Sequence, residues 1–100
     1  MRQIKVTDDA KNDLQESAEY YEHNQTYLGH NFLDKVEEAL ERIKENPVQF
    51  PQIYKEVRRA LVGKFQYQVL FVIKSMKIIV FAIFHNSRNP EVWKQRVEKE

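Results

Sequence analysis

The chain contains no cysteine among its 100 residues, which excludes a disulfide framework, a thiolate nucleophile and a thiolate metal site. Glycine occurs twice and proline three times. That is too little glycine for a P-loop or a Rossmann fingerprint, and it suits regular elements joined by short turns. Neither Val69 to Ile73 nor Ile78 to Phe84 approaches the length of a bilayer span, and the first residues, Met1-Arg-Gln-Ile-Lys5, lack the apolar stretch of a secretory leader. A cytoplasmic protein without membrane contact is expected. The three histidines (His23, His30, His85) have no short ligand spacing, and His23 and His30 read as solvated caps around a turn, so neither a metal nor a cofactor is expected.

Charge, by contrast, is plentiful. Charged residues make up 31% of the chain and apolar residues 42%, as in a single globular domain with a highly charged surface. The net charge of +1 conceals an asymmetry. Residues 1–50 carry six Lys/Arg against eleven Asp/Glu, giving −5, and residues 51–100 carry ten against four, giving +6. The basic half would attract nucleic acid or an acidic peptide, and the acidic half would repel nucleic acid. Two differently charged solvated faces are the plainer reading.

Hydrophobic periodicity divides the chain in two. Ile4 and Val6 flank Lys5 as a short strand, and Thr7-Asp8-Asp9 supplies an N-cap with first-turn acids. Ala10, Leu14, Ser17, Ala18 and Tyr21 then share one stripe, predicting an amphipathic helix to about Asn24. Leu28, Phe32, Val36, Leu40 and Ile43 predict a second, stopping at Glu45-Asn46 because Pro47 disfavours helical geometry in the residue before it. The two form an antiparallel hairpin. Beyond the loop Pro47–Pro51 the period becomes two, with strands at 57–62, 66–74 and 78–84 and turns at Gly63-Lys64 and 74–77. The last strand is apolar on both faces and is therefore expected in the centre, paired with the N-terminal strand, with Ile79, Phe81, Ile83 and His85 on one face. Glu91 to Glu98 reads as a terminal helix. The order β-α-α-β-β-β-α is that of an α+β domain with helices on one face of a small sheet.

The segment Arg58–Trp93 places arginines and a histidine at strand ends. Metal-free RNA cleavage needs a base, an acid and cations around the phosphate. His85 or Glu56 are candidates for the first two, Arg58, Arg59 and Arg88 for the clamp, and Tyr67 for a further donor. Each has a structural alternative. Arg58 and Arg59 point to opposite faces, so one of them would pair with a helix carboxylate. His85 would cap its strand, and Trp93 would close a core.

At these residues the chain resembles the RelE/ParE superfamily of type II toxin–antitoxin toxins. The resemblance lies in Ile43-Lys-Glu-Asn-Pro47, Val57-Arg58-Arg59, Phe65-Gln-Tyr67-Gln-Val69 and, most specifically, Phe84-His85-Asn-Ser-Arg88-Asn-Pro90-Glu-Val-Trp93. It implies a small sheet crossed by a helical hairpin and a cognate antitoxin, whose acidic or amphipathic segment covers the basic sheet surface in a hetero-oligomer. Arg58, Arg59, Lys64, Arg88, Trp93 and Arg96 are the residues it would meet. RelE-like members cut mRNA on the ribosome, and here Arg59, Tyr67, His85 and Arg88 would carry that reaction. ParE-like members poison DNA gyrase. The catalytic tyrosine or His-Tyr pair common near the C-terminus of RelE-like nucleases is missing, because Asn86 follows His85 and no tyrosine lies beyond Tyr67. The ParE-like branch is favoured, as a non-catalytic inhibitor. An inactive relative that only binds its antitoxin is the third reading.

Overall fold

The computed structural model describes residues 3–99. Within them run β1 (Gln3–Val6), α1 (Asp8–Asn24), α2 (Leu28–Glu45), a 3-10 turn (Pro47–Gln49), β2 (Gln52–Tyr54), β3 (Val57–Leu61), β4 (Tyr67–Lys74), β5 (Lys77–His85) and α3 (Glu91–Lys99). The strands form one sheet in the order β1-β5-β4-β3-β2, antiparallel except where β1 lies parallel to β5 with Gln3 opposite Lys77 and Val6 opposite Val80. The architecture is α+β, with the N-terminal strand, helical hairpin, meander and terminal helix that the periodicity predicts.

Local chemistry sets the helix ends. Thr7 Oγ1 accepts from the Ala10 N–H at 3.2 Å, satisfying an orphan donor of α1. Asn46, in a non-helical conformation before Pro47, closes α2. The connection between the helices is held by a residue that gave no sequence signal as a cap. Glu22 accepts from the Tyr27 N–H at 3.0 Å and the Gly29 N–H at 3.1 Å, so a carboxylate of α1 caps α2 while Tyr27 turns the chain at a φ of 70°. A Cβ at Gly29 would collide with the Ala18 carbonyl and the Glu22 Cβ. Gly29→Ala should therefore destabilise the fold by about 1–3 kcal/mol despite alanine's better helix propensity, as read by urea denaturation.

The hairpin buries Phe32, Val36, Ala39 and Ile43 against Ala60, Val69, Phe71, Ile78, Val80 and Ile83 on one sheet face. Each large side chain so buried contributes about 1.5–3 kcal/mol. Helices were expected on that face alone, but α3 packs on the other, where Trp93 joins Val57, Leu70, Val72, Phe81, Ala82 and Phe84. Their apolar side chains leave that face needing a cover of its own.

A β-bulge accounts for a second departure. Leu70 pairs with Ala82 but Phe71 with Val80, leaving Phe81 as the extra residue. Alternation therefore breaks at mid-strand. Ile78, Val80 and Ile83 face the hairpin, whereas Phe81, Ala82 and Phe84 face α3, so the predicted stripe Ile79-Phe81-Ile83-His85 does not share one face. Just past the end of β1, Asp13 Oδ2 accepts from the buried Ile83 N–H at 3.0 Å, and Arg96 Nη1 donates to the Phe81 carbonyl at 3.1 Å. The two side chains also bind each other through two oxygens, at 2.6 and 3.1 Å. One ion pair thus joins α1, the bulge and α3.

Two turns differ from expectation for want of a signal. β2 is a strand beyond the three expected after Pro51, and Lys55, at φ 51°, turns it into β3. Ser75 likewise turns β4 into β5 at φ 56°, so Lys74 and Lys77 belong to the strands.

Candidate partner-binding face

Register decides which charged groups can act together, because residues paired across antiparallel strands project to the same face. Arg58 pairs with Phe71 and so belongs to the hairpin face; Arg59 pairs with Leu70 and belongs to the α3 face. Arg58 is fully engaged locally. Its Nη1 donates to the Phe50 carbonyl at 2.6 Å and the Val48 carbonyl at 3.3 Å, binding the loop rather than the expected helix carboxylate. Arg59 is exposed and its guanidinium makes no hydrogen bond or ion pair among the described residues.

Tyr67 and His85 are directly paired, with ring centroids 5.2 Å apart at 84°. They line an open cleft with Tyr20, Tyr21 and Ser87. Ser87 donates its backbone N–H to His85 Nδ1 at 3.1 Å, and its Oγ lies 2.8 Å from the same atom. In the neutral tautomer that accepts this N–H, the proton sits on Nε2 and that nitrogen is a donor. Behind the cleft, Tyr21, Phe32, Phe65 and Tyr67 interlock with centroids 5.0–5.9 Å apart. Burial in this cluster, followed by the neighbouring Tyr67 and Tyr20, holds the Tyr21 phenol above its usual 10.0. The stability from its protonated form is present below pH 10 and lost as pH rises past the raised value. An ultraviolet phenolate titration should show a late-titrating tyrosine that Tyr21→Phe removes.

The remaining candidates lie elsewhere. Arg88 stacks on the ring of Phe84 at 4.1 Å, on the α3 side. Glu56 sits beside Val72 and Lys74, at the end of β4 remote from Tyr67. Arg59 and Arg88 are thus separated by the sheet from Tyr67 and His85, and the four do not converge. Among the described residues, no group of three or more histidine or carboxylate side chains comes together as a metal site would.

The expected partner-facing set divides as well. Arg59, Arg88 and Lys64 are exposed, Lys64 in the β3–β4 turn beside α2. Trp93 is only 4% exposed, stacked against Tyr54 and Phe81, so it closes the core and offers no surface to a partner. Arg96 is committed to Asp13 and Phe81, and that hydrogen-bonded carboxylate raises its pKa further. What stays open on the α3 side is a strip of Arg59, Leu61 and Arg88 beyond the cover of Trp93. Leu61, 52% exposed there, and Tyr20, 63% exposed at the cleft, were not singled out in the sequence, where each reads as one more apolar residue of its element.

This arrangement of hairpin, bulged sheet and capping helix has a counterpart among solved structures. A chain from the chromosomal ParDE TA system of P. aeruginosa superposes with a TM-score of 0.76, covering 85% of this chain and 96% of that one at 18% identity, so the fold is shared. No curated protein matches the sequence. The model of the ParE toxin of the type II toxin–antitoxin system, parDE, matches residues 4–90, and the chain belongs to that family.

Proposed function

We propose that this ParE-family toxin arrests growth by poisoning DNA gyrase through protein contact, without catalysis, and that an antitoxin neutralises it on the α3 side of the sheet. One observation carries the reading: the groups a nuclease would need stand on two faces of the sheet. The exposed Arg59 and Arg88 suit carboxylates of an acidic segment, since a guanidinium fork binds them in pairs. No described helix is long and apolar enough to cross a membrane, in keeping with action in the cytoplasm. Expression of the chain alone in a cell lacking the antitoxin should arrest growth with mRNA intact, and co-expression of the antitoxin should restore it. Absence of arrest would leave only the inactive-relative reading; arrest with fragmented mRNA would favour the nuclease.

A further inference from the structure

A cavity of about 250 Å³ lies at the end of β4 remote from His85, between the β2–β3 turn and the last turns of α3. Its apolar wall is Val72, Phe81 and Val97, of which Val72 and Phe81 are buried. The other lining groups are charged, two of each sign: Lys55, Lys74, Glu56 and Glu98. Two of the four satisfy each other, since Lys55 Nζ donates to Glu98 Oε1 at 2.7 Å and ties the turn to the helix. The Lys74 and Glu56 side chains are exposed and make no hydrogen bond or ion pair among the described residues, with each other or with a neighbour. Lys74 also stands directly opposite Lys77 across the strand pair, and like charges so placed repel. The cavity thus combines an apolar wall with one unanswered cation and one unanswered anion.

We infer that this cavity binds a free apolar α-amino acid, its side chain on Val72, Phe81 and Val97, its carboxylate on Lys74 and its ammonium on Glu56. The site is independent of the toxin reading. Charge complementarity selects the class of ligand. A zwitterion brings the anion that Lys74 and Lys77 lack and the cation that Glu56 lacks, whereas a simple carboxylate or amine answers only one of them. Volume selects the size. Sites for drug-sized ligands span about 300–1,000 Å³, so this smaller cavity suits a single branched or aromatic side chain. Removing that side chain from water supplies the affinity, and the two charges fix its orientation. A residue inside a peptide carries neither charge and a chain end only one of them, so the free amino acid fits where a peptide does not.

Titration of the full chain with L-leucine, followed through the methyl resonances of Val72 and Val97, tests this. The shifts should saturate in the millimolar range or below, and the melting temperature should rise with ligand, because only the folded chain holds the cavity. Isocaproate and isoamylamine keep the apolar body and drop one charge each, and each should bind about fivefold or more weakly than leucine. Lys74→Gln should weaken leucine by a like factor without weakening isoamylamine. Glu56→Gln should weaken leucine without weakening isocaproate. Neither substitution, at an exposed and unpaired side chain, should alter unfolding of the free chain. A merely structural role would not give this crossed pattern. Absence of saturable shifts at Val72 and Val97, or equal affinity for leucine and its two single-charge analogues, overturns the assignment.

Discussion

Asp13→Ala is expected to cost about 3–5 kcal/mol, the usual range for removing one partner of a buried ion pair. The carboxylate is 8% exposed and Arg96 16%, so the guanidinium would keep only the exposed Asp9 carboxylate, 3.9 Å from its Nε, as counter-charge. The loss extends beyond the pair. The buried Ile83 N–H at the bulge would lose the Asp13 acceptor, and an orphaned donor there costs about 1–3 kcal/mol, so the two effects overlap within one network. Against a domain stability of about 5–15 kcal/mol, the variant would be close to unfolding at physiological temperature. Arg96→Met alone should be milder in charge terms but should strand Asp13 and the Phe81 carbonyl. The double variant Asp13→Leu with Arg96→Met should recover part of the loss, because an apolar pair of similar volume carries no desolvation cost. Denaturant unfolding of wild type, Asp13→Leu, Arg96→Met and the double variant gives the coupling energy. A loss below about 1 kcal/mol for Asp13→Ala would mean that water replaces the pair and that the bulge stands without it.

Reversing the charge of the two free arginines should have the second large effect. Arg59→Glu and Arg88→Glu each turn an attraction for a carboxylate into a repulsion, at about 2–5 kcal/mol, or roughly 30-fold to several thousandfold in antitoxin affinity. Stability should change little, since neither guanidinium holds a hydrogen bond among the described residues, apart from the stacking of Arg88 on Phe84. Arg58→Glu makes the informative contrast. It would break the bonds to Phe50 and Val48 and should lower stability before it alters binding. In cells, the two reversals should leave the toxin active and insensitive to its antitoxin. Unchanged affinity in both would move the docking surface elsewhere, with the exposed Lys64 and the Tyr20 cleft next in line.

Much of the fold was legible because its signals are local. The stripe from Phe32 to Ile43, the Thr7 cap and the stop before Pro47 each depend on residues within a few positions of one another. The bulge at Phe81 was not legible, since every residue from Ile78 to Phe84 is apolar and a shift of face leaves no trace in hydropathy. The side of α3 followed from that shift. The fate of the arginines depended on long-range pairing: Arg58 and Arg59 are neighbours in sequence, yet one is tied to a loop and the other is free. Arg96 finds Asp13 across 83 residues, and nothing local announces it. Family resemblance supplied what periodicity could not, the antitoxin and the choice of targets, and the family match over residues 4–90 agrees with the ParE side of it.

The central claim, toxicity by contact and without catalysis, is tested most directly by a supercoiling and DNA-cleavage assay with purified gyrase, run with wild type and with the double variant Tyr67→Phe, His85→Ala. Both proteins should trap gyrase–DNA cleavage complexes to a similar extent. Normal supercoiling at saturating wild type, together with ribosome-dependent mRNA cleavage that the double variant loses, would contradict it.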